Sequence, residues 1–461
     1  MTPILLIAII DAHFTELIRV ARMLKERATF QPIMFFAERY PNLAKDVATC
    51  QREGIRCLDS EGAPLESSIT TEAPALPAPR PSTVNRLLGK LPPELLVSAF
   101  AVPIWVTGYR SSVRKAGRIL DRHRPWLLVL AEDNPGYLTS AYVAAGHDRG
   151  VASVIVPYTV ATRREAAEAY YDVASHSTRG ANRMVAAVLP RWVHTHRERR
   201  LLRLPAGKLL ALEALGLAPP DPWTYLSGSA DVIAVESERM ERHYLREGLP
   251  PERLVRTGAL YDDVLARNRA GGLENRRAVL KDAGLVDDKP LVLCALPPDQ
   301  FSCIRPDREF ASQRELLEFL VGTLSGANVI YRLHPRTRAE EMGFLRDLGA
   351  RISERDTAEL VPLCDVFVAS VSATIRWAIA CGKPVINYDM HRYRYHDFDE
   401  AGGVVTVEDK ADFVRVARDV LANRDALAAK QAEAAPQWAT LDGHAGARMA
   451  QLFERLAKEP R

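Results

Sequence analysis

The sequence predicts an α/β protein made of two doubly wound, Rossmann-like domains. Short apolar runs alternate with helical patterns along the 461 residues. These runs are apolar throughout rather than at every second residue, which is typical of parallel strands covered by helices on both faces. The series occurs twice, over 1–265 and over 266–440. We therefore expect two domains that face each other across a ligand-binding cleft.

The first series contains seven predicted strands. It opens with the apolar run 4–10, which the helix 14–25 follows. Residues 61–85 are rich in Pro, Ser, Thr and Glu, a composition that favours a surface loop. A polar, helical insertion is predicted at about 160–220. The remaining strands are predicted at 32–37, 55–58, 126–131, 152–156, 231–235 and 253–257.

The second series begins after the polar segment 266–289, which we interpret as the linker between the domains. Strands are predicted at 290–295, 328–333, 365–369, 384–387 and 404–406. Helices at 314–324, 340–348 and 374–381 separate them, and a closing C-terminal helix is predicted within 441–461. This domain would carry the ligand-binding edge of a second parallel sheet.

Composition excludes several classes of protein. The formal net charge is only +3, from 61 basic and 58 acidic residues, which argues against a dedicated nucleic-acid binder. The six cysteines form no C-x-x-C pair, so they are expected to be small core residues in a reducing cytoplasm. No apolar stretch reaches the length of a membrane-spanning helix, and the N-terminal run is interpreted as a strand rather than a signal peptide.

The segment that follows the strand 328–333 is a candidate phosphate site. His334 ends that strand, and Pro335 prevents it from continuing as a central one. Arg332 and Arg336 flank the histidine, and guanidinium groups bind phosphate oxygens in pairs while imidazole donates a hydrogen bond or a proton. The alternative is an ordinary strand end with an exposed histidine.

A second candidate phosphate site follows the strand 365–369. Ser370, Ser372 and Thr374 place three hydroxyls in five residues, directly before a predicted helix that Gly382 would end. One of these residues is enough to cap the helix, so simple capping is the alternative. Hydroxyls and free N–H groups at the start of a helix also bind anions, and we favour both roles.

These two segments together resemble a known family. The C-terminal half, over roughly 225–440, resembles the donor-nucleotide domain of GT-B glycosyltransferases. Within them it is most similar to the bacterial sialyltransferase, polysialyltransferase and Kdo-transferase group and to the related CDP-glycerol polymerases. His334-Pro335 resembles that group's His-Pro motif, and Ser370, Ser372 and Thr374 resemble its Ser/Thr motif. The resemblance implies that both motifs bind the donor phosphate.

Three further residues are weaker candidates on the donor side. Asp299 and Gln300 follow the first strand of the second domain, where GT-B enzymes often contact the donor phosphate. They are expected to bind donor or acceptor. Glu359 opens a segment where GT-B proteins commonly bind the nucleoside.

A transferase of this kind needs a general base, which we expect from the N-terminal domain. Glu132 and Asp133 follow the strand 126–131 and resemble the acidic pair of the sialyltransferase group, although Asn134 stands where that group has Gly. The pair can also simply cap the next helix. Asp11 is the other candidate base, and His13 is a candidate for holding the acceptor.

A basic run at 179–208 suggests a membrane contact. Eight arginines and lysines lie in it, opposed only by Glu198, with Trp and Leu residues between them. A basic amphipathic helix of this composition is typical of membrane-surface binding, and a solvated helix face is the alternative. We expect a cytoplasmic protein that can bind the inner face of the cytoplasmic membrane.

The expected activity is that of an inverting glycosyltransferase. Its donor would be a nucleotide sugar, with a CMP-activated ulosonic acid such as Kdo or a sialic-acid-like sugar favoured. Its acceptor would be a bacterial surface glycan or lipid-linked glycan, such as capsule or lipopolysaccharide. No metal and no other cofactor is expected, because no metal-binding constellation occurs and the His and Ser/Thr motifs can stabilise the phosphate.

Three alternatives remain open. One is a CDP-glycerol-type phosphotransferase that uses the same phosphate site. Another is a hydrolysing UDP-sugar 2-epimerase, although its usual N-terminal Gly-x-Arg motif is not found in this sequence. The last is a catalytically silent GT-B-like binding subunit.

Overall fold

The computed structural model describes residues 1–27, 29–65, 101–160, 162–180, 182–299, 301, 309–334, 337 and 339–458. They form two compact units. The first unit consists of residues 1–235, 240–257 and 447–461, and the second unit consists of residues 236–239 and 258–446.

The core of the first unit is a seven-stranded parallel sheet with the strand order β3-β2-β1-β4-β5-β8-β9. Its central strands are buried on both faces, and residues 4–8 of β1 have no exposed surface. Uniform burial explains why these strands are apolar throughout. The strands are β1 (Thr2–Ala8), β2 (Phe30–Phe36), β3 (Arg56–Leu58), β4 (Leu127–Leu130), β5 (Ala152–Ile155), β8 (Val232–Val235) and β9 (Leu254–Arg256).

Helices connect these parallel strands. The helix Asp11–Lys25 follows β1 and begins three residues earlier than the sequence predicts, so its first turn includes Asp11 and His13. The other helices of the first unit are Leu43–Arg52, Val102–His123, Thr139–His147, Arg163–Tyr170, Asn182–Val188 and Ala206–Ala214. The helices Glu238–Arg246 and Ala445–Lys458 each begin in the second unit and continue in the first.

The basic run 179–208 is not one amphipathic helix, and that prediction was wrong. It contains the helix Asn182–Val188, a 3-10 turn and an antiparallel hairpin of β6 (Val193–His196) and β7 (Arg199–Leu202). Trp192 and Leu202 are fully buried within the first unit. Val185, Trp192, Leu202 and Leu204 of this segment therefore belong to a small core instead of facing a membrane.

The second unit contains a six-stranded parallel sheet with the order β12-β11-β10-β13-β14-β15. The strands are β10 (Leu291–Ala295), β11 (Asn328–Arg332), β12 (Arg351–Ile352), β13 (Val366–Ala369), β14 (Val385–Tyr388) and β15 (Val404–Val407). Its helices are Leu260–Asp282, Gln313–Leu324, Gly343–Asp347, Thr357–Leu360, Ile375–Ala380, Lys410–Ala422 and Arg424–Trp438. Most of the predicted linker 266–289 is thus helical, with a break at Gly272.

The predicted α/β class and both parallel sheets are confirmed, and all twelve predicted strands are present. The sequence analysis missed the hairpin β6–β7 and the two-residue strand β12. Five cysteines lie in the part of the chain that the structure describes, and all five are buried and free. Among the described residues, no helix is both long and apolar enough to cross a bilayer.

The strand order of each sheet reverses at one point. In the first unit it reverses between β1 and β4, and in the second unit between β10 and β13. At such a point the loops after the two neighbouring strands run to opposite faces of the sheet and leave a crevice at its carboxyl edge. The residues that follow these four strands are therefore the first place to look for a site.

Candidate functional site

A histidine and a carboxylate meet at the switch point of the first unit. His13 lies in the helix after β1, Glu132 follows β4, and His13 Nε2 is 2.9 Å from Glu132 Oε1. Both side chains are buried, with exposed fractions of 0% and 4%. The Ile9 N–H points at His13 Nδ1 from 3.4 Å, so the ring proton lies on Nε2 and is donated to Glu132. We call His13 and Glu132 the first-unit dyad.

Tyrosine rings surround this dyad. The rings of Tyr158 and Tyr137 contact His13 edge-on, with centroids 5.2 and 6.0 Å from its own. Burial raises the pKa of Tyr158 well above its usual value, and the negative charge of Glu132 raises it further. Tyr158 is therefore a neutral phenol that can donate a hydrogen bond beside a carboxylate.

Asp133 occupies a different environment from its neighbour Glu132. Its carboxylate accepts backbone N–H groups from Ser227, from Ser229 at 2.6 Å and from Ala230 at 2.9 Å. It has no exposed surface, and burial raises its pKa while these hydrogen bonds lower it. The Asp133 carboxylate thus ties the turn after β4 to the loop 227–230. Its predicted role as a base has no direct test, and this geometry favours Glu132 for that role.

The next residue of the same turn contacts a buried arginine. Asn134 Oδ1 accepts two hydrogen bonds, from the Gly136 N–H at 2.9 Å and from Arg203 Nη2 at 2.7 Å. Asp11, the alternative base, is half-buried and is the first residue of its helix, which has no side-chain cap. It accepts the Ala12 N–H at 2.9 Å and the Asn42 side-chain amide at 3.3 Å.

The hydroxyl turn of the second unit, residues 370–374, lies at the switch point after β13. Ser372 Oγ and Thr374 Oγ1 are 2.8 Å apart, and the Thr374 N–H donates to Ser372 Oγ at 3.3 Å. Ser370, Ser372 and Thr374 are all half-buried. The turn therefore presents clustered hydroxyls rather than a single helix cap, and the helix that follows it is the short Ile375–Ala380.

Val371 has a strained backbone in the middle of this turn. Its φ is +44°, in the left-handed region that a β-branched residue almost never adopts. The side chain of Asn387, in β14, holds it there by accepting the Val371 N–H at 2.9 Å and donating to Thr406 Oγ1 at 3.3 Å. The sequence analysis missed Asn387, although a polar residue near the carboxyl end of an apolar strand was a visible signal.

The first predicted phosphate segment is only partly described. Arg332 ends β11 and donates to the Ser353 carbonyl at 3.3 Å, and burial lowers the pKa of its guanidinium. His334 is half-buried two residues later, and its carbonyl accepts the Thr337 N–H at 2.8 Å. Pro335 and Arg336 lie outside the described residues. The phosphate role of this segment stays a prediction.

Two of the weaker donor-side candidates, Asp299 and Glu359, belong to the described residues. Asp299 is exposed after β10 and accepts the Phe301 N–H at 2.9 Å, while Gln300 lies outside the described residues. Glu359 is half-buried, and its charge acts on Arg332. This places Glu359 near the segment after β11.

A loop after β14 was missed by the sequence analysis. Asp389 is buried, and its carboxylate accepts the N–H groups of Tyr393 at 2.9 Å and of Arg394 at 2.6 Å. Arg394 has a left-handed φ of 55°, and the rings of Tyr393 and Tyr395 stack with centroids 5.3 Å apart. The signal was the dense alternation of His, Arg and Tyr directly after a strand.

No metal centre is apparent in the part of the chain that is described. There, no group of three or more His, Cys, Asp or Glu side chains is placed to hold a metal ion. The expectation that the reaction needs no metal stays a prediction.

Comparisons with known proteins found matches among solved structures only. No family model matches the sequence, and no curated protein matches it. A putative UDP-N-acetylglucosamine 2-epimerase from Listeria monocytogenes has a TM-score of 0.54 at 14% identity, and the alignment covers 100% of this chain and 98% of that chain. The UDP-GlcNAc 2-epimerase from Neisseria meningitidis has a TM-score of 0.52 at 10% identity, covering 98% and 100%. The glycotransferase of kitacinnamycin has a TM-score of 0.53 at 13% identity, covering 99% of both chains.

These neighbours correct the main functional prediction. The solved structures of similar fold are mostly UDP-GlcNAc 2-epimerases, not sialyl-, polysialyl- or Kdo-transferases. The prediction of a transferase that uses a CMP-activated ulosonic acid is therefore wrong. The similarity to that group is supported only at the level of the fold. The protein has the two-domain, GT-B-like α/β fold that these epimerases share with a glycosyltransferase.

Proposed function

We propose that this protein is an enzyme that acts on a nucleotide sugar, a UDP-sugar 2-epimerase of the hydrolysing type. The single observation that carries the proposal is the buried first-unit dyad at the switch point of its sheet. A buried carboxylate held by a histidine is suited to remove a proton from carbon. The neighbours of similar fold are mostly epimerases, and three of the neighbouring structures hold UDP, UDP-GlcNAc or both, which supports a uridine nucleotide.

The chemistry needs a base on the sugar and stabilisation of the leaving phosphate. Glu132 takes the proton from C2, the C2–H electron pair forms a C1=C2 double bond, and the C1–O bond breaks to release the diphosphate. A water molecule then adds its hydroxyl to C1, and a proton returns to C2 on the opposite face. The sum is UDP-sugar plus water giving UDP and the free 2-epimer, and His13 holds the Glu132 carboxylate throughout.

The second unit would bind the nucleotide. In this proposal the Ser372 and Thr374 hydroxyls, with Arg332 and His334, bind the diphosphate. Hydrogen bonds to the departing oxygens are worth most when charge develops on them, so these residues assist the bond cleavage as well as binding. Glu359, near Arg332, is placed on the nucleoside side.

An experiment in D₂O tests the reaction class. We expect UDP-GlcNAc to release UDP without any acceptor glycan, and the sugar product to carry deuterium at C2 in NMR spectra. A transferase would release UDP only with an acceptor and would leave the C2 proton in place. The absence of turnover together with no thermal stabilisation by CMP, CDP, UDP or GDP would indicate a silent binding protein.

A paired substitution tests the nucleotide site. Ser372→Ala combined with Thr374→Val removes two hydroxyls of the turn, and we expect UDP affinity to fall at least about 100-fold, since each lost hydrogen bond to a charged group costs about 1.5–3 kcal/mol. Ser325→Ala is the control, because Ser325 is an exposed hydroxyl of the same unit that donates only to the Gly322 carbonyl. Equal affinity in both variants would contradict this assignment.

We also propose a narrower form of the membrane contact. On the helix Asn182–Val188, Met184 and Val188 are 75% and 76% exposed. Three exposed arginines near it, Arg179, Arg183 and Arg200, form no ion pair with any described residue, whereas Arg191 pairs with Glu213 at 2.7 Å. Exposed apolar side chains beside unpaired cations are suited to an anionic lipid surface.

Vesicle sedimentation tests this contact. Met184→Glu with Val188→Glu should abolish binding to vesicles that contain anionic lipid. Leu273→Glu with Val286→Glu is the matched control, because Leu273 and Val286 are 68% and 73% exposed in the second unit. Binding that persists in the first variant would overturn the contact, as would wild-type protein that never sediments with the vesicles.

A further inference from the structure

Arg203 is a fully buried arginine without a carboxylate partner. It follows β7 and has no exposed surface. Its Nε donates to the Pro222 carbonyl at 2.8 Å and its Nη2 to Asn134 Oδ1 at 2.7 Å. Its Nη1 has no hydrogen-bond partner among the described residues.

The other buried arginines of the described residues show that this is unusual. Arg19 pairs with Glu16 at 2.6 Å, Arg239 pairs with Glu400 at 3.1 Å, and Arg376 pairs with Glu236. A guanidinium cannot lose its charge at any physiological pH, so a buried one needs compensation. Arg203 alone among these four has only neutral acceptors, and its Nη1 has no acceptor among the described residues. A buried donor with no acceptor calls for an explanation, and a bound ligand is one.

The position of Arg203 connects it to the first-unit dyad. Asn134, its acceptor, is two residues beyond Glu132 in the same turn. The guanidinium carbon lies 5.1 Å from the Tyr170 ring centroid and 6.0 Å from that of Tyr225. Burial and the charges of Glu165 and Glu132 raise the pKa of Tyr225, and the charge of Arg203 lowers it. The guanidinium and the Glu132 carboxylate therefore both affect the same phenol. Both tyrosines are only half-buried, which leaves this cluster partly open to solvent.

We propose that Arg203 binds a carboxylate of the substrate, so that the preferred substrate is a nucleotide-linked acidic sugar. This inference rests on the proposed function, in which the diphosphate belongs to the hydroxyl turn of the second unit. Apart from phosphate, the common anionic substituent of a sugar ring is a carboxylate. Arginine binds carboxylates through paired N–H donors, and Nη1 is the donor still without an acceptor.

The test compares two substrates that differ in one group. UDP-GlcNAc and its 6-carboxylate, UDP-N-acetylglucosaminuronate, are assayed for kcat/KM and for thermal stabilisation of the full chain. We expect the wild type to favour the acidic sugar by about 100-fold or more, because a site built for a charged group rejects the analogue that lacks it. Wild-type protein that treats both sugars alike would overturn the proposal.

Three variants separate recognition from structure. Arg203→Met should remove the preference for the acidic sugar while leaving the thermal shift by UDP alone unchanged. Arg203→Lys keeps the charge and should retain part of the preference. Arg253→Met is the matched control, because Arg253 also ties down the loop 221–230, by donating to the Gly228 carbonyl and to the Ala230 carbonyl at 2.7 Å. If Arg253→Met removes the preference equally, the role of Arg203 is structural and the proposal is wrong.

The failure of this proposal is distinct from failure of the proposed function. If the wild type turns over neither sugar, the epimerase assignment fails. The difference in thermal stabilisation between the two UDP-sugars still tests Arg203. If both sugars are epimerised at the same rate and stabilise equally, the epimerase assignment holds and the acidic substrate is excluded.

Discussion

The switch points of the two sheets carry different kinds of polar cluster. The cluster of the first unit is buried and made of ionisable side chains: His13, Glu132, Asp133 and Arg203 are each at most 4% exposed. The hydroxyl turn of the second unit is half-buried and neutral, and its unusual feature is the left-handed backbone of Val371. The equivalent positions of the two parallel sheets therefore carry buried ionisable side chains in one unit and a turn of unusual backbone geometry in the other.

Under the proposed function, the two clusters have different roles. Buried charges have few conformations and strong mutual interactions, which suits proton transfer at a fixed position. Partly exposed hydroxyls and a shaped turn suit reversible binding of an anion that must also leave. Substitutions in the first cluster should therefore change turnover or stability, and substitutions in the second should change affinity.

The largest effect is expected from Glu132→Gln. Loss of the base should lower turnover by about 10² to 10⁴-fold, because that is the usual contribution of a general base. UDP affinity, measured by calorimetry, should stay unchanged. Glu252→Gln, at an exposed position of the first unit, is the control and should leave both quantities unchanged. A Glu132→Gln variant with weakened UDP binding and normal turnover would contradict the assignment of turnover to the first cluster and of UDP binding to the second.

The next effect is on stability against pH, through His176. Burial lowers the pKa of His176 to about 4, while the hydrogen bond with the Leu202 carbonyl opposes this. The folded chain then binds fewer protons than the unfolded chain between about pH 4 and 6.5. The free energy of unfolding should therefore fall by about 3 kcal/mol as pH decreases through that window.

The variant His176→Phe should remove this part of the pH dependence. The phenylalanine ring can keep the stacking on Tyr170, whose centroid is 4.1 Å away, but it does not titrate. Urea unfolding at pH 7, 6, 5 and 4 measures the slope. His396→Phe is the control, since His396 is 71% exposed. An unchanged slope in His176→Phe would show that His176 is not the source of this loss of stability in acid.

A smaller effect, on affinity alone, is expected from Asn387→Ala. Without its carbonyl the Val371 N–H loses its acceptor, and the turn should relax from its strained conformation. We expect UDP affinity to fall about 10-fold, equivalent to one net hydrogen bond of about 1.4 kcal/mol, with kcat at saturation unchanged. Asn328→Ala provides the comparison, because Asn328 is a buried asparagine at the other end of a strand of the same sheet. A lower kcat with unchanged affinity would contradict the assignment.

The smallest effect is expected from Val371→Gly. Glycine adopts a φ of +44° without strain, which should stabilise the fold by about 1 kcal/mol after its extra entropy in the unfolded chain is subtracted. Thermal unfolding measures this, and Val371→Ala, which keeps the strain, should not stabilise. A destabilised Val371→Gly variant would show that contacts of the valine side chain outweigh the backbone strain.

The sequence predicted the fold well because its signal is local. Uniformly apolar runs such as that of β1 identify buried parallel strands, and the residues after them identify the sheet edge where ligands bind. Glu132, Ser372 and Thr374 were candidates for this reason and because they resemble motifs of the sialyltransferase group. Asn387 and Arg203 were missed because each acts through residues 16 and 69 positions away, which no local pattern records.

The sequence by itself determined the parallel α/β class, the strand positions and the edge of each sheet that carries polar groups. Only the tertiary structure decided which partners each of two adjacent carboxylates has. Glu132 contacts His13, which lies in the helix after β1. Asp133 accepts N–H groups from a loop that lies 94 to 97 residues later in the chain. The physical reason is that a side chain's role follows from its neighbours in space, and strand order brings those neighbours from distant parts of the chain.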